Sequence, residues 1–155
     1  MTGVIVHFIC RGNSFRSVIA EAYLNSLEIS ALSAVSSGTV GASHKAENLV
    51  YYRMTLDLLE RHGIRDFATA DHGAQLTQLL LDKSDLSVCM NQRVYDEGLQ
   101  LVTFPASTRI WSVADVGEPG RIVQTESHRQ LYREDAYQEI VAHIDRLVSA
   151  MPTPP

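Results

Sequence analysis

Apolar residues in this chain fall into short blocks, separated by segments with helical spacing. Residues 4–9 read Val-Ile-Val-His-Phe-Ile. Apart from His7 they show no polar alternation, which is the pattern of a strand buried on both faces. Residues 17–27 change to helical spacing, with Val18, Ala22, Leu24 and Leu27 on one side. Residues 31–37 read as a second strand closed by Gly38. A longer helix over 46–62 stops at Gly63, a residue type favoured just past a helix C-terminus. A short helix over 77–81, strands over 85–90 and 108–112, and a last helix over 134–150 complete the pass. In that helix Tyr137, Ile140, Val141, Ile144, Leu147, Val148 and Met151 line one face.

Strands alternating with helices predict an α/β fold: a single three-layer domain with a four-stranded parallel sheet, helices on both faces and right-handed crossovers. The chain has 155 residues, enough for one domain, expected over 1–150, and the Pro-rich segment 151–155 reads as a frayed tail. With 45% hydrophobic and 20% charged residues the composition excludes wholesale disorder. No apolar run approaches the roughly 20 residues of a membrane helix, and residues 4–9 lack the basic lead-in of a signal peptide. The expectation is a cytoplasmic protein, monomeric, with no membrane partner. A net charge of −5 and the lack of any Lys/Arg run make nucleic acid an unexpected partner. The two cysteines, Cys10 and Cys89, form no disulfide framework, and neither they nor the histidines show metal-ligand spacing. Neither metal nor cofactor is expected.

In doubly wound sheets, ligands bind beyond the carboxyl ends of the strands. That rule selects the segment after the first strand, Cys10-Arg11-Gly12-Asn13-Ser14-Phe15-Arg16-Ser17. Its residue types suit a phosphate-like oxyanion. N–H groups at a helix start are unpaired and the dipole there favours negative charge. Gly12 permits close backbone approach, and Asn13 tolerates the left-handed region. Arg16 offers a planar, charged fork to two oxygens, and Ser17 a hydroxyl in the first helical turn. The same donors stabilise a thiolate at Cys10. Residues 11–17 are therefore the expected phosphate-binding loop.

The string C-x-G-N-x-x-R-S between a strand and a helix resembles the phosphate loop of the low-molecular-weight protein tyrosine phosphatase family, which also includes thioredoxin-coupled arsenate reductases. Residues 36–39 (Ser-Ser-Gly-Thr), 71–77 (Asp-His-Gly-Ala-Gln-Leu-Thr), 84–90 and 111–115 (Trp-Ser-Val-Ala-Asp) resemble further family segments. The resemblance implies a two-step displacement on phosphotyrosine proteins or small aryl phosphates. Cys10 would be the nucleophile, Arg16 would stabilise the transferring group, and Asp115 would be the general acid. It also implies that Asn13, Ser17, Ser37 and His72 form a polar network supporting the loop. For Ser37, ordinary turn hydrogen bonding is the competing explanation.

Several positions depart from the family pattern. Asp115 is followed by Val116 rather than proline, while Glu118 does precede a proline and is the rival acid. The tyrosines that often follow the acid are replaced by Val116 and Gly117. Phe15 stands where many members carry a protective cysteine, so Cys10 is expected to over-oxidise more readily. Arg11 is either a rim residue favouring an anionic group or a surface arginine. Tyr51 or Tyr52 is the candidate cleft aromatic. Cys89, on a strand, reads as core rather than as a resolving thiol, against arsenate reduction through a disulfide cascade. A non-catalytic phosphate-binding module is the third alternative.

Overall fold

The apolar block predicted as the first strand becomes the centre of the sheet in the computed structural model, which describes residues 3–69 and 71–152. Strand β1 (Val4–Cys10) pairs in parallel with β2 (Leu32–Gly38) on one side and β3 (Leu86–Cys89) on the other. A two-residue β4 (Arg109–Ile110) extends the sheet beyond β3, giving the order β2-β1-β3-β4. The helices are α1 (Arg16–Ser26), α2 (Leu49–Arg61), α3 (Gln78–Asp82), α4 (Gln92–Gly98) and α5 (Glu126–Ala150), with one 3-10 turn at Arg65–Phe67. This is the predicted four-stranded parallel α/β domain.

Strand alternation divides the core into two layers. Val6, Phe8 and Cys10 of β1 and Val88 of β3 join Val18, Ile19 and Ala22 of α1 and Ile140 and Ile144 of α5 in the larger cluster. Ile9 and Cys89, one residue out of phase, join Leu81 of α3 and Val94 of α4 in the smaller one. Cys10 and Cys89 therefore belong to opposite faces of the sheet, and both are buried free thiols.

Two helix starts and one unpredicted helix depart from the hydrophobic pattern, and β4 is shorter than the predicted 108–112. Helix α5 starts at Glu126, eight residues before the predicted 134, because Thr125 caps it by accepting from the His128 N–H at 3.2 Å. Its first turns carry little apolar signal, and Leu131 is exposed. Helix α2 starts at Leu49 rather than 46, since residues 39–48 form turns. Helix α4 has no periodic stripe to reveal it. It buries Val94 and Gly98 and is started by Asn91, whose Oδ1 accepts from the Val94 N–H at 3.1 Å. The last three residues of the predicted tail, 153–155, lie outside the described residues. Among the described residues no helix is long and apolar enough to cross a membrane.

Candidate active site

The loop between β1 and α1 turns back on itself, and its backbone explains how. Asn13 adopts φ 51°, the left-handed conformation expected of it. Its fully buried side chain then ties three segments together. Nδ2 donates to Ser17 Oγ at 3.0 Å and to Ser36 Oγ at 2.9 Å, and Oδ1 accepts from the Ala74 N–H at 2.9 Å. The Asn13 carbonyl accepts from the Gly73 N–H at 3.1 Å, and Thr55 Oγ1 donates to the Ser14 carbonyl at 2.7 Å. At the end of β2, Thr39 and Val40 donate to the carbonyls of Cys10 and Arg11. Gly38 makes that approach possible, because a Cβ there would lie 2.3 Å from the Arg11 carbonyl oxygen.

The carbonyls of Cys10, Arg11, Asn13 and Ser14 are thus satisfied from outside the loop, while several of its N–H donors are left without acceptors. The N–H groups of Gly12, Ser14, Phe15 and Ser17 find no acceptor among the described residues. The Asn13 N–H points to Cys10 Sγ at 3.3 Å, and Ser17 Oγ lies 2.9 Å from the same sulfur. A nest of this kind at a helix start binds anions and stabilises a thiolate.

Two of the predicted support residues act elsewhere. Ser37 pairs through its hydroxyl with His7 Nε2 at 2.7 Å and makes no hydrogen bond to Asn13. Alternation along β2 puts neighbouring side chains on opposite faces, so Ser36 takes the predicted role. His72 bonds through Nε2 to the Lys45 carbonyl at 2.9 Å and stacks on Tyr52 at 4.6 Å between ring centroids. It sets the path of the segment whose next two N–H groups hold the loop, but it does not bond to the loop itself.

A cavity of about 230 Å³ opens beside the nest. That is below the roughly 300–1,000 Å³ of pockets for drug-sized ligands, a size for one side-chain-like group. Gly12, Ser14 and Phe15 line it, together with Val40, Tyr51, Asp115, Val116 and the arginines Arg11, Arg129 and Arg133. Tyr51, not Tyr52, is the aromatic at the cavity. Tyr52 is buried and donates to the Thr69 carbonyl at 2.7 Å. Arg11 lines the cavity, but its Nε donates to both oxygens of Glu97, at 2.9 and 3.0 Å, so its charge is already matched. Burial raises the Glu97 carboxyl, but Thr39, Arg11 and Arg93 outweigh that and hold it below its ordinary range.

Arg16 is 1% exposed and reaches across to the segment after β4. Its Nη1 donates to the Val113 carbonyl at 3.0 Å, and its guanidinium lies 3.5 Å from Asp115 and 3.6 Å from Glu118. The two acids have different surroundings. Asp115 lines the cavity. Glu118 faces inward and accepts from the Asp115 N–H at 2.6 Å and from Asn91 at 3.2 Å. Burial raises the Glu118 carboxyl, but the Asp115 N–H, Arg16, Arg93 and Asn91 together outweigh it and hold the group below the usual range. Glu118 is therefore a fixed carboxylate that sets the shape of the Asp115 turn.

Cys89 stands apart from all of this. Burial pushes its thiol up to about 12. Among the described residues, no group of three or more His, Cys, Asp or Glu is placed to hold a metal ion.

The sequence points to Ser36 and Gly38 only as part of the segment 36–39, without a site role for either, and does not point to Thr55, Arg129 or Arg133. Gly38 at a strand end carried a signal, but the two arginines lay in a polar stretch with no motif around them.

A parallel sheet with an anion nest after its first strand is the arrangement of a phosphatase-type hydrolase. The family described as low molecular weight phosphotyrosine protein phosphatase matches residues 5–151, and the chain belongs to it. Among solved structures, Wzb of Vibrio vulnificus in complex with benzylphosphonate is 20% identical, with TM-score 0.68 over 96% of this chain and 99% of that one. The YwlE arginine phosphatase of Geobacillus stearothermophilus is 20% identical, with TM-score 0.62 over 94% and 91%. A thioredoxin-dependent arsenate reductase of Corynebacterium glutamicum is 22% identical, with TM-score 0.65 over 96% of this chain but 62% of its own. These likenesses show the shared fold. No curated protein matches the sequence.

Proposed function

We propose that this phosphatase hydrolyses phosphotyrosine or another aryl phosphate through a cysteinyl-phosphate on Cys10. The observation that supports it most is the thiol held at 2.9 Å by Ser17 and 3.3 Å by the Asn13 N–H, inside a loop of acceptor-free N–H groups. In the first step the Cys10 thiolate attacks phosphorus and the bond to the leaving oxygen breaks. Asp115 gives its proton to that oxygen. In the second step the Asp115 carboxylate takes a proton from water, whose oxygen attacks phosphorus. The phosphorus–sulfur bond breaks and phosphate leaves. The loop amides and Arg16 stabilise charge on the non-bridging oxygens in both steps. Ser17 donates to the departing thiolate.

Asp115 is preferred over Glu118 as the acid because it lines the cavity, while Glu118 is held ionised among two arginines and an amide. Phe15, Val40, Tyr51 and Val116 supply apolar walls for an aromatic leaving group. The same reading takes the enzyme to be cytoplasmic and monomeric. Reduction of arsenate through a Cys10–Cys89 disulfide finds no support, because the two thiols face opposite layers of the sheet. The test is turnover of p-nitrophenyl phosphate in chelator at mildly acidic pH. Wild type should turn over and Cys10→Ser should not. Wild type that binds phosphate analogues without turnover would support the non-catalytic binding alternative instead.

A further inference from the structure

Arg133 is unusual among the cavity residues. It stands on α5 and is 7% exposed, yet it makes no hydrogen bond or ion pair among the described residues. Its Nε and Nη1 are closed off from solvent without acceptors, so Nη2 is the donor that reaches the cavity. The guanidinium lies over two aromatic rings, with its central carbon 5.6 Å from the Phe15 ring centre and 5.8 Å from that of Tyr51. Cation–π contact of this sort positions a guanidinium but leaves its in-plane donors unused. An unpaired charge buried to this degree is costly unless an anion completes it.

The other arginines at the site are ion-paired: Arg11 with Glu97, which Arg93 shares, and Arg16 with Asp115. Asp115 and Glu126 act on Arg133 only from beyond ion-pair distance. Arg129, one helical turn before Arg133, has only the exposed Glu126 at 3.5 Å. The α5 side of the cavity therefore carries an excess of positive charge, immediately next to Phe15 of the nest.

We infer that Arg133, assisted by Arg129, forms a second anion subsite, and that the substrate carries a carboxylate or further phosphate beside the scissile phosphomonoester. The inference rests on the nest being the phosphate site. An acidic side chain next to a phosphorylated residue meets the requirement, as does a small carboxylated aryl phosphate. A substrate with a guanidinium or ammonium group at that place is disfavoured by like charge.

The test is equilibrium binding by calorimetry, which does not depend on turnover. The probes are benzylphosphonate, its meta- and para-carboxylated forms, and the matching carboxamides as neutral controls of the same size. At least one carboxylate should bind wild type about tenfold more tightly than its carboxamide, as expected of one charge-assisted hydrogen-bonded pair. That ratio should fall to about one in Arg133→Met and be intermediate in Arg133→Lys, which keeps the charge but loses the fork. Equal affinity of carboxylate and carboxamide for wild type would overturn the subsite while leaving the phosphate site standing. That comparison needs no variant, so poor folding of Arg133→Met does not weaken it. A ratio that survives unchanged in folded Arg133→Met would also overturn it. Failure of benzylphosphonate itself to bind would overturn the reading of the nest, and the subsite with it.

Discussion

Replacing Asn13 by alanine should be among the most damaging single changes in this protein, and the structure lets the cost be worked out. The side chain is fully buried and makes three hydrogen bonds, to Ser17, Ser36 and the Ala74 N–H, at 2.9 to 3.0 Å. Each contributes about 1 kcal/mol net, and the Ala74 N–H, at an exposed residue, can turn to water when its acceptor is removed. Alanine at φ 51° adds about 1 kcal/mol of backbone strain that asparagine tolerates better. The sum is about 4 kcal/mol, a large part of the roughly 5–15 kcal/mol that holds an ordinary domain together. Asn13→Gly loses the same bonds without a Cβ, so it should be milder than Asn13→Ala by about 1 kcal/mol. Urea unfolding followed by the single tryptophan is a suitable assay. Trp111 packs on Phe8 at 5.7 Å and stacks on His143 at 4.6 Å, so its emission reports on the main core. Under native conditions both variants should also lose about 100-fold in kcat/KM, because the nest is no longer held in register. A loss of stability below about 1 kcal/mol for Asn13→Ala would refute the hydrogen-bond accounting. A glycine variant less stable than the alanine one would refute the conformational part.

Three further outcomes are expected. Asp115→Asn should slow hydrolysis of substrates with poor leaving groups by about 100-fold or more, and Glu118→Gln by much less; the opposite ranking in kcat measurements would reverse the acid assignment. Burial lowers His7 from 6.5 to about 4, so the unfolded chain holds a proton that the folded one lacks, and stability falls as pH drops through that window. Burial raises Glu21 from 4.5 to about 7, against bonding by Thr69 and Ser36, so the folded chain keeps a proton and stability falls as pH rises through that window. The two slopes oppose one another. Glu21→Gln should therefore gain on wild type by about 3 kcal/mol between roughly pH 4.5 and 8 in denaturant titrations; a pH-independent difference would contradict the burial argument. Cys89→Ala should keep kcat/KM within about twofold of wild type, since it lies across the sheet from the nest, and arsenate turnover that depends on Cys89 would show otherwise.

How much of this was legible in the sequence follows from what each feature depends on. The strands 4–9 and 85–90 are buried on both faces and announce themselves by apolar runs. The loop 10–17 is set by local backbone chemistry, so its residue types suffice to place a nest there. Helix α4 and the start of α5 depend on the caps Asn91 and Thr125 and on sparse burial, and periodicity does not reveal them. The choice of Ser36 over Ser37 turns on strand phase, a shift of one residue that type and motif do not resolve. Arg133 is the clearest omission. Its place at the cavity comes from a contact between α5 and residues more than 80 positions away, Phe15 and Tyr51.

The central claim is that Cys10 becomes covalently phosphorylated. Rapid-quench sampling of wild type with excess p-nitrophenyl phosphate, followed by peptide mass spectrometry, tests it most directly. A phosphate adduct confined to the peptide carrying Cys10, formed within the first turnover and absent in Cys10→Ser, is the predicted result. Steady turnover with no adduct on Cys10 in wild type, or turnover retained by Cys10→Ser, would contradict the account.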